Sequence, residues 1–106
     1  MFGSPRYAQK GVVHRVPCPE FRSGEELDGV AWYKGYDVDD SSSPLISHFL
    51  GRNKPAKDRY AFGSEFSLII GNIEIDDGGR YLCQVVPRDT IYRIGRIDIK
   101  VIGKAL

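Results

Sequence analysis

The sequence predicts an all-β, mainly antiparallel domain built as a two-sheet sandwich. Apolar and polar residues alternate along short segments, which is the period of an extended strand. Gly, Pro, Asp, Asn and Ser interrupt these segments about every 8–12 residues, as they do in small sandwiches. Helix signals are weak, because the one capping-box match, Ser23 with Glu26, is flanked by Gly24 and Gly29. We expect residues 1–106 to form a single domain.

The predicted strands follow one another along the chain with polar turns between them. They cover residues 12–18, 29–34, 44–50, 58–62, 65–73, 80–86 and 93–101. The polar stretch 36–44 reads as a loop, and "NIEIDDGG" could form one helical turn. Alternation puts Val30 and Trp32 on one face of their strand, and it puts Tyr81, Cys83 and Val85 together on one face of theirs.

Composition excludes several classes of function. The formal net charge is +1, so nothing suggests electrostatic attraction to nucleic acid or to an anionic membrane. No apolar run approaches the length that spans a bilayer. The start "MFGSPRYAQKG" lacks the basic and apolar regions of a signal peptide, so we expect this chain to be a fragment of a longer one.

The two cysteines, Cys18 and Cys83, are separated by most of the chain. They cannot form a structural zinc site, because neither His14 nor His48 has a ligand-like spacing to them. If oxidised, the pair would close a long loop and contribute about 4 kcal/mol to stability. Such a bond would indicate an oxidising compartment.

A family resemblance follows from Cys18, Trp32 and the motif Asp-x-Gly-x-Tyr-x-Cys at residues 77–83. Together these resemble the pattern of the immunoglobulin domain, and "SLIIGNIEIDDGGRYLCQV" is similar to the E-to-F segment of its variable type. The resemblance implies an immunoglobulin-like sandwich with a V-type Greek key. It also implies a disulfide between Cys18 and Cys83.

The resemblance assigns structural roles to four more residues. Trp32 would lie in the core on strand C, and Tyr81 would form the tyrosine corner by bonding back to the upstream backbone. Arg59, at the start of strand D, would form an ion pair with Asp77.

The spacing between Trp32 and Cys83 also resembles the variable type, because it leaves room for strand C′ at 44–50 and a short C″ near 51–57. The last strand ends in "IDIKV", as the joining-segment strand does. The Phe-Gly-x-Gly bulge of rearranging receptors is absent and only Gly95 is present, which implies a non-rearranging or only distantly related variable-type domain.

Candidate catalytic groups have structural interpretations that we favour. Asp76 and Asp77 would need further groups around them to bind calcium or to catalyse, and turn formation explains them better. Ser41–Ser43, His48 and Asp39 contain the residue types of a catalytic triad but lack a nucleophile elbow. We therefore expect no enzymatic activity, no cofactor and no metal site.

Two further features are interpreted as structural rather than functional. His14 lies on the inward parity of its strand and is expected to be a satisfied or partly exposed core histidine rather than a ligand. The basic run Arg52, Lys54, Lys57 and Arg59 is interpreted as a solvated edge rather than as a site for nucleic acid or glycan.

The strand parity predicts an apolar outward face. Outward positions of strands C, F and G should be mostly polar on a solvated sheet, yet here they are mainly apolar and aromatic. We expect Ile46 and His48 of C′ to extend this face. The predicted partner-binding residues are Tyr33, Ile46, His48, Leu82, Gln84, Val86, Tyr92 and Ile94.

The resemblance implies a protein–protein recognition module of a cell-surface or secreted immune-type or adhesion receptor. It would pair through the CC′FG sheet face, with a second copy of itself or with another immunoglobulin-type domain. No contact with nucleic acid or membrane is expected. The alternative is a monomeric module whose loops at 22–29, 51–57 and 87–91 bind a glycan or a microbial surface.

Overall fold

A computed structural model of the chain describes residues 5–39 and 42–103. Short strands alternate with tight turns along the chain, in agreement with the all-β prediction. The strands are β1 (Arg6–Gln9), β2 (His14–Val16), β3 (Leu27–Lys34), β4 (Ile46–Phe49), β5 (Arg52–Pro55), β6 (Tyr60–Phe62), β7 (Leu68–Ile70), β8 (Gly79–Pro87) and β9 (Arg93–Ile102). Single 3₁₀ turns lie at Ser64–Phe66 and Ile75–Asp77.

The strands form two sheets, which confirms the predicted sandwich. One sheet has six strands in the order β1-β9-β8-β3-β4-β5, and the other has three in the order β2-β7-β6. Neighbouring strands are antiparallel except for β1, which pairs in parallel with β9. The sequence did not predict β1, because only Ala8 of its four residues is buried and no alternation marks it.

The core lies between the sheets, around Trp32, which is fully buried. Its indole Nε1 donates a hydrogen bond of 2.9 Å to the carbonyl oxygen of Phe66. The predicted disulfide is confirmed, with the Cα atoms of Cys18 and Cys83 5.7 Å apart. It joins the segment after β2 to β8 and so ties the two sheets together, contributing about 4 kcal/mol to stability.

The turn before β8 is held by Asp77, whose side chain is largely buried. Arg59 donates hydrogen bonds to both of its carboxylate oxygens, and the backbone N–H of Glu74 donates to Oδ2 at 2.7 Å. The hydroxyl of Tyr81 donates to the backbone carbonyl of Asp77. Residues 76–83 therefore have structural roles: they supply the ion pair, the turn and the tyrosine hydrogen bond that stabilise this corner.

The register of β4 differs from the expectation for two partner-face residues. Ile46 lies opposite Trp32 and is 2% exposed, so it belongs to the core. His48 lies opposite the buried Val30, and its ring centroid is 5.1 Å from that of Phe66 on the inner side. The loop between β3 and β4 sets this register, and its length alone could not reveal it.

Candidate partner-binding face

The outer face of the six-stranded sheet is the surface directed away from the three-stranded sheet. The pairing registers place alternate side chains of β3, β4, β8 and β9 on it, because their neighbours point into the core. With Tyr92, which immediately precedes β9, the outer face comprises Ala31, Tyr33, Ser47, Phe49, Leu82, Gln84, Val86, Tyr92, Ile94 and Arg96.

The middle of the outer face is half-buried and has a polar contact at its centre. The Tyr33 hydroxyl donates to Oε1 of Gln84 at 3.5 Å, across the β3–β8 pair. Burial raises the pKa of Tyr33 above its usual value, so the phenol stays neutral in the physiological range. Val86 and Ile94 flank this pair and are themselves only partly exposed.

Phe49 adds an aromatic ring that the sequence interpretation missed. A Cβ atom added to Gly29 would lie 2.1 Å from Cε1 of Phe49, so the ring rests directly on the glycine backbone. The ring is 41% exposed on its other side. An aromatic residue packed on a cross-strand glycine is a recurrent device in sheets, and the Gly–Phe pair could have indicated this register.

Leu82 lies on the outer face, as its parity predicts, but it is not exposed. Only 1% of its surface is accessible. The loop after β3 rises over this part of the sheet, since Tyr36, Asp37 and Val38 share a cavity wall with Leu82. The expectation of an accessible leucine at this position is therefore corrected: Leu82 forms the floor of a cavity.

This cavity has a volume of about 330 Å³ and a mixed lining. It is lined by Tyr36, Asp37, Val38, Leu82, Tyr92, Ile94 and Arg96. Asp37 and Arg96 are both exposed. Neither makes an ion pair with any residue that the structure describes.

Charges at the two margins of the outer face differ. On the β9 side, Arg80 pairs with Asp98 at 3.0 Å and stacks 5.1 Å from the ring of Tyr36. On the β5 side, Arg52 and Lys54 are exposed and make no ion pair within residues 5–39 and 42–103. The β5 margin is therefore an uncompensated basic edge.

The loops at the β8–β9 end are fixed by two arginines. Arg93 forms a bidentate pair with Glu25 and a 3.2 Å contact with Glu20, which ties β9 to the loop before β3. The hydrogen bonds from Arg93 lower the pKa of Glu25, so it stays ionised. Arg88 contacts Glu26 at 3.1 Å.

Two apolar side chains project from the same end. Leu50, at the tip of the β4–β5 hairpin, is 95% exposed, and Ile91, in the β8–β9 turn, is 80% exposed. Leu50 also has a positive φ of 54°, a conformation that costs a branched side chain free energy. These residues belong to the loops at 51–57 and 87–91 or directly adjoin them.

The candidate catalytic and metal groups do not form a site in the part of the chain that is described. Both carboxylate oxygens of Asp77 are engaged by Arg59. His48 meets Oδ1 of Asn53 at 2.6 Å through Nδ1, on the inner side of β4. Ser41 lies outside the described residues. Within 5–39 and 42–103 no cluster of three or more metal-ligating side chains occurs.

The family model of the immunoglobulin V-set domain matches residues 4–102. The chain belongs to the immunoglobulin V-set family. The sheet order and the disulfide described above are those expected of a V-set domain. V-set domains are receptor or adhesion modules rather than enzymes. A search of curated protein sequences found no match.

Solved structures share the fold of this V-set domain at low sequence identity. Tim-1 superposes with a TM-score of 0.77 at 19% identity, covering 99% of this chain and 98% of that chain. The first Ig-like domain of human CD48 gives a TM-score of 0.77 at 14% identity, covering 98% and 87%. The voltage-gated sodium channel beta4 subunit, whose extracellular domains form parallel homodimers that explain its role in cell–cell adhesion, gives 0.70 at 24%, covering 96% and 92%.

No helix formed by the described residues is long and apolar enough to cross a membrane.

Proposed function

We propose that this V-set domain is a protein-recognition module of an extracellular receptor or adhesion protein, and that it pairs with a second copy through the outer face. The observation that carries the proposal is the chemistry of that face. Where a solvated sheet would present charged side chains, it presents Tyr33, Phe49, Val86, Tyr92 and Ile94.

The accessible part of this face suits a partner. Tyr92 is 49% exposed and Phe49 is 41% exposed, and both present an aromatic ring to solvent. Aromatic side chains supply much of the binding energy of protein interfaces. Gln84, half-buried among them, adds a directional hydrogen-bonding group.

Self-pairing is the simplest form of this recognition. A two-fold contact buries the same apolar surface twice and needs no second gene product. The parallel homodimers of the sodium channel beta4 subunit support this choice, because that protein shares the fold over nearly the whole chain.

The test compares two charge insertions of similar exposure. Tyr92→Arg places a cation on the outer face, whereas Val13→Arg places one on a side chain that is 68% exposed in the turn after β1, away from that face. Sedimentation equilibrium is expected to show self-association of the wild type and of Val13→Arg, and its loss in Tyr92→Arg. Equal association of both variants would contradict the use of this face.

Leu82→Arg would be a poor probe of the same idea. Because Leu82 is 1% exposed, an arginine there would lose its packing and bury a charge, and the fold itself would be destabilised. Tyr92 can be changed without opening the core.

A second candidate function is recognition by the loops, of a glycan or a microbial surface. It is favoured by the exposure of Leu50 and Ile91 at neighbouring loop tips. Under this alternative a double change, Leu50→Asp with Ile91→Asp, would abolish ligand binding by a monomer. Tyr92→Arg would leave that binding intact.

A further inference from the structure

The six-stranded sheet has an order that is suited to a two-fold contact centred on β3. On one side of β3 lie β8 and then β9, and on the other side lie β4 and then β5. If two outer faces meet about an axis along β3, then β4 of one copy covers β8 of the other. By the same symmetry, β5 of one copy covers β9 of the other.

The strand registers determine which residues of the two copies would then lie opposite one another. Lys54 pairs with Ser47, which pairs with Ala31, then with Gln84 and finally with Ile94. These residues occupy one level across the sheet, on its outer side. Lys54 of one copy would therefore lie over Ile94 of the other.

Ile94 is part of the wall of the cavity described above, so Lys54 would enter it. The lining suits a lysine side chain. Leu82, Val38 and Ile94 offer an aliphatic surface to its stem, while Asp37 offers a carboxylate. The aromatic side chains of Tyr36 and Tyr92 line the same cavity and add apolar surface for the lysine stem.

The two side chains of the proposed contact, Lys54 and Asp37, have no ion-pair partner among the described residues of a single copy. Lys54 is exposed and Asp37 is exposed, and neither forms an ion pair in the part of the chain that is described. Arg96 also lines the cavity, at the level of Leu82, its partner on β8. It is exposed, so its side chain can extend into solvent when Lys54 enters.

We propose that the cavity receives Lys54 of a second copy, and that two reciprocal Lys54–Asp37 contacts fix the register of the pair. This inference rests on the proposed pairing through the outer face and names the contacts that would define it. Lys54 on the basic edge of one copy and Asp37 in the cavity wall of the other carry opposite charges, and the two-fold axis makes the contact twice.

Two charge reversals and their mixture test the proposal. Lys54→Glu opposes two carboxylates at each contact, and Asp37→Lys opposes two ammonium groups, so each variant alone should self-associate at least about tenfold more weakly than the wild type. In an equimolar mixture, the introduced glutamate meets the introduced lysine at one contact, and the native Lys54 meets the native Asp37 at the other. The mixture should recover an affinity close to that of the wild type.

Lys10→Glu is the matched control for Lys54→Glu. Lys10 is exposed in the turn after β1, and its replacement by glutamate changes the net charge by the same amount. Sedimentation equilibrium gives each dissociation constant, and thermal unfolding shows that each variant is folded. The Lys54–Asp37 contact is wrong if the single variants self-associate as strongly as the wild type, or if the mixture shows no recovery of affinity. In either case, pairing of the wild type through the outer face still stands. If the wild type and the mixture are both monomeric, the homodimer and this contact fail together.

Discussion

The ring of Phe49 lies directly on the backbone of Gly29, across the β3–β4 pair. A Cβ atom at position 29 would sit 2.1–2.7 Å from three atoms of that ring, closer than non-bonded carbon atoms can approach. Gly29 is therefore required by the ring, and the ring is held on the outer face by the glycine.

Gly29→Ala should displace the Phe49 ring and destabilise the domain by about 1–3 kcal/mol through overpacking. The same change in a Phe49→Ala background should cost much less, because the obstacle has been removed. Urea unfolding of the four proteins in this cycle measures the difference. An equal cost in both backgrounds would show that the ring is not the obstacle.

The Arg59–Asp77 pair should be strongly coupled. Arg59→Ala leaves the Asp77 carboxylate, which is 8% exposed, without its ion pair at a cost of about 3 kcal/mol, whereas Asp77→Ala leaves Arg59, which is 28% exposed, without its partner. The double change should cost less than the sum of the two single changes. Arg80 and Asp98 form the matched control, since they make a similar contact with 29% and 49% of their side chains exposed. Their coupling should lie below about 1 kcal/mol, measured by the same denaturant cycles.

The stability of the domain should depend on Asp77 in acid. Burial would raise the pKa of Asp77, but the hydrogen bonds from Arg59 and from the backbone of Glu74 outweigh it and lower the pKa below 3.8. The stabilising effect is therefore complete above the unfolded-state value of 3.8 and is lost as the pH falls toward the folded-state value. Urea midpoints between about pH 6 and about pH 2.5 should fall less steeply in Asp77→Asn than in the wild type.

His14 should add a second pH dependence at milder acidity. Its Nε2 is buried without a hydrogen-bond partner among the described residues, and burial, aided by the charge of Arg6, lowers its pKa below 6.5. Folding favours the neutral ring, so its contribution is complete above 6.5 and is lost as the pH falls below that value. A change to phenylalanine should flatten the stability profile between about pH 7 and about pH 5; an unchanged slope would contradict a neutral His14 ring in the folded state.

The sandwich could be predicted from the period of the strands, whereas the disulfide and the corner around Asp77 followed from the resemblance of residues 18, 32 and 77–83 to the immunoglobulin pattern. The sequence did not predict β1, because a four-residue edge strand with one buried side chain shows no alternation of apolar and polar residues. The outward parity expected on β3, β8 and β9 agrees with the pairing registers, because the inward Trp32 and Cys83 fix the parity there, although Leu82 is buried. On β4 the assignment of Ile46 and His48 was wrong, because no such anchor lies in that strand.

Residues from the loop after β3 were missed for a related reason. Tyr36 and Asp37 belong to a polar stretch whose path cannot be read from a period of two, and only the folded chain brings them over Leu82. Because Leu82 is buried rather than exposed, the surface available to a partner differs from the one that the sequence predicted. Under the proposed pairing, contact would be made by Tyr92 and Ile94 at the cavity and by Phe49 on β4, rather than by Leu82 itself.

The most direct test of the central claim is sedimentation equilibrium of the wild-type domain from low to high micromolar concentration. Pairing through the outer face predicts a weight-average mass that rises from near 11.9 kDa toward twice that value as the concentration increases. A mass that stays at the monomer value throughout this range would contradict self-pairing.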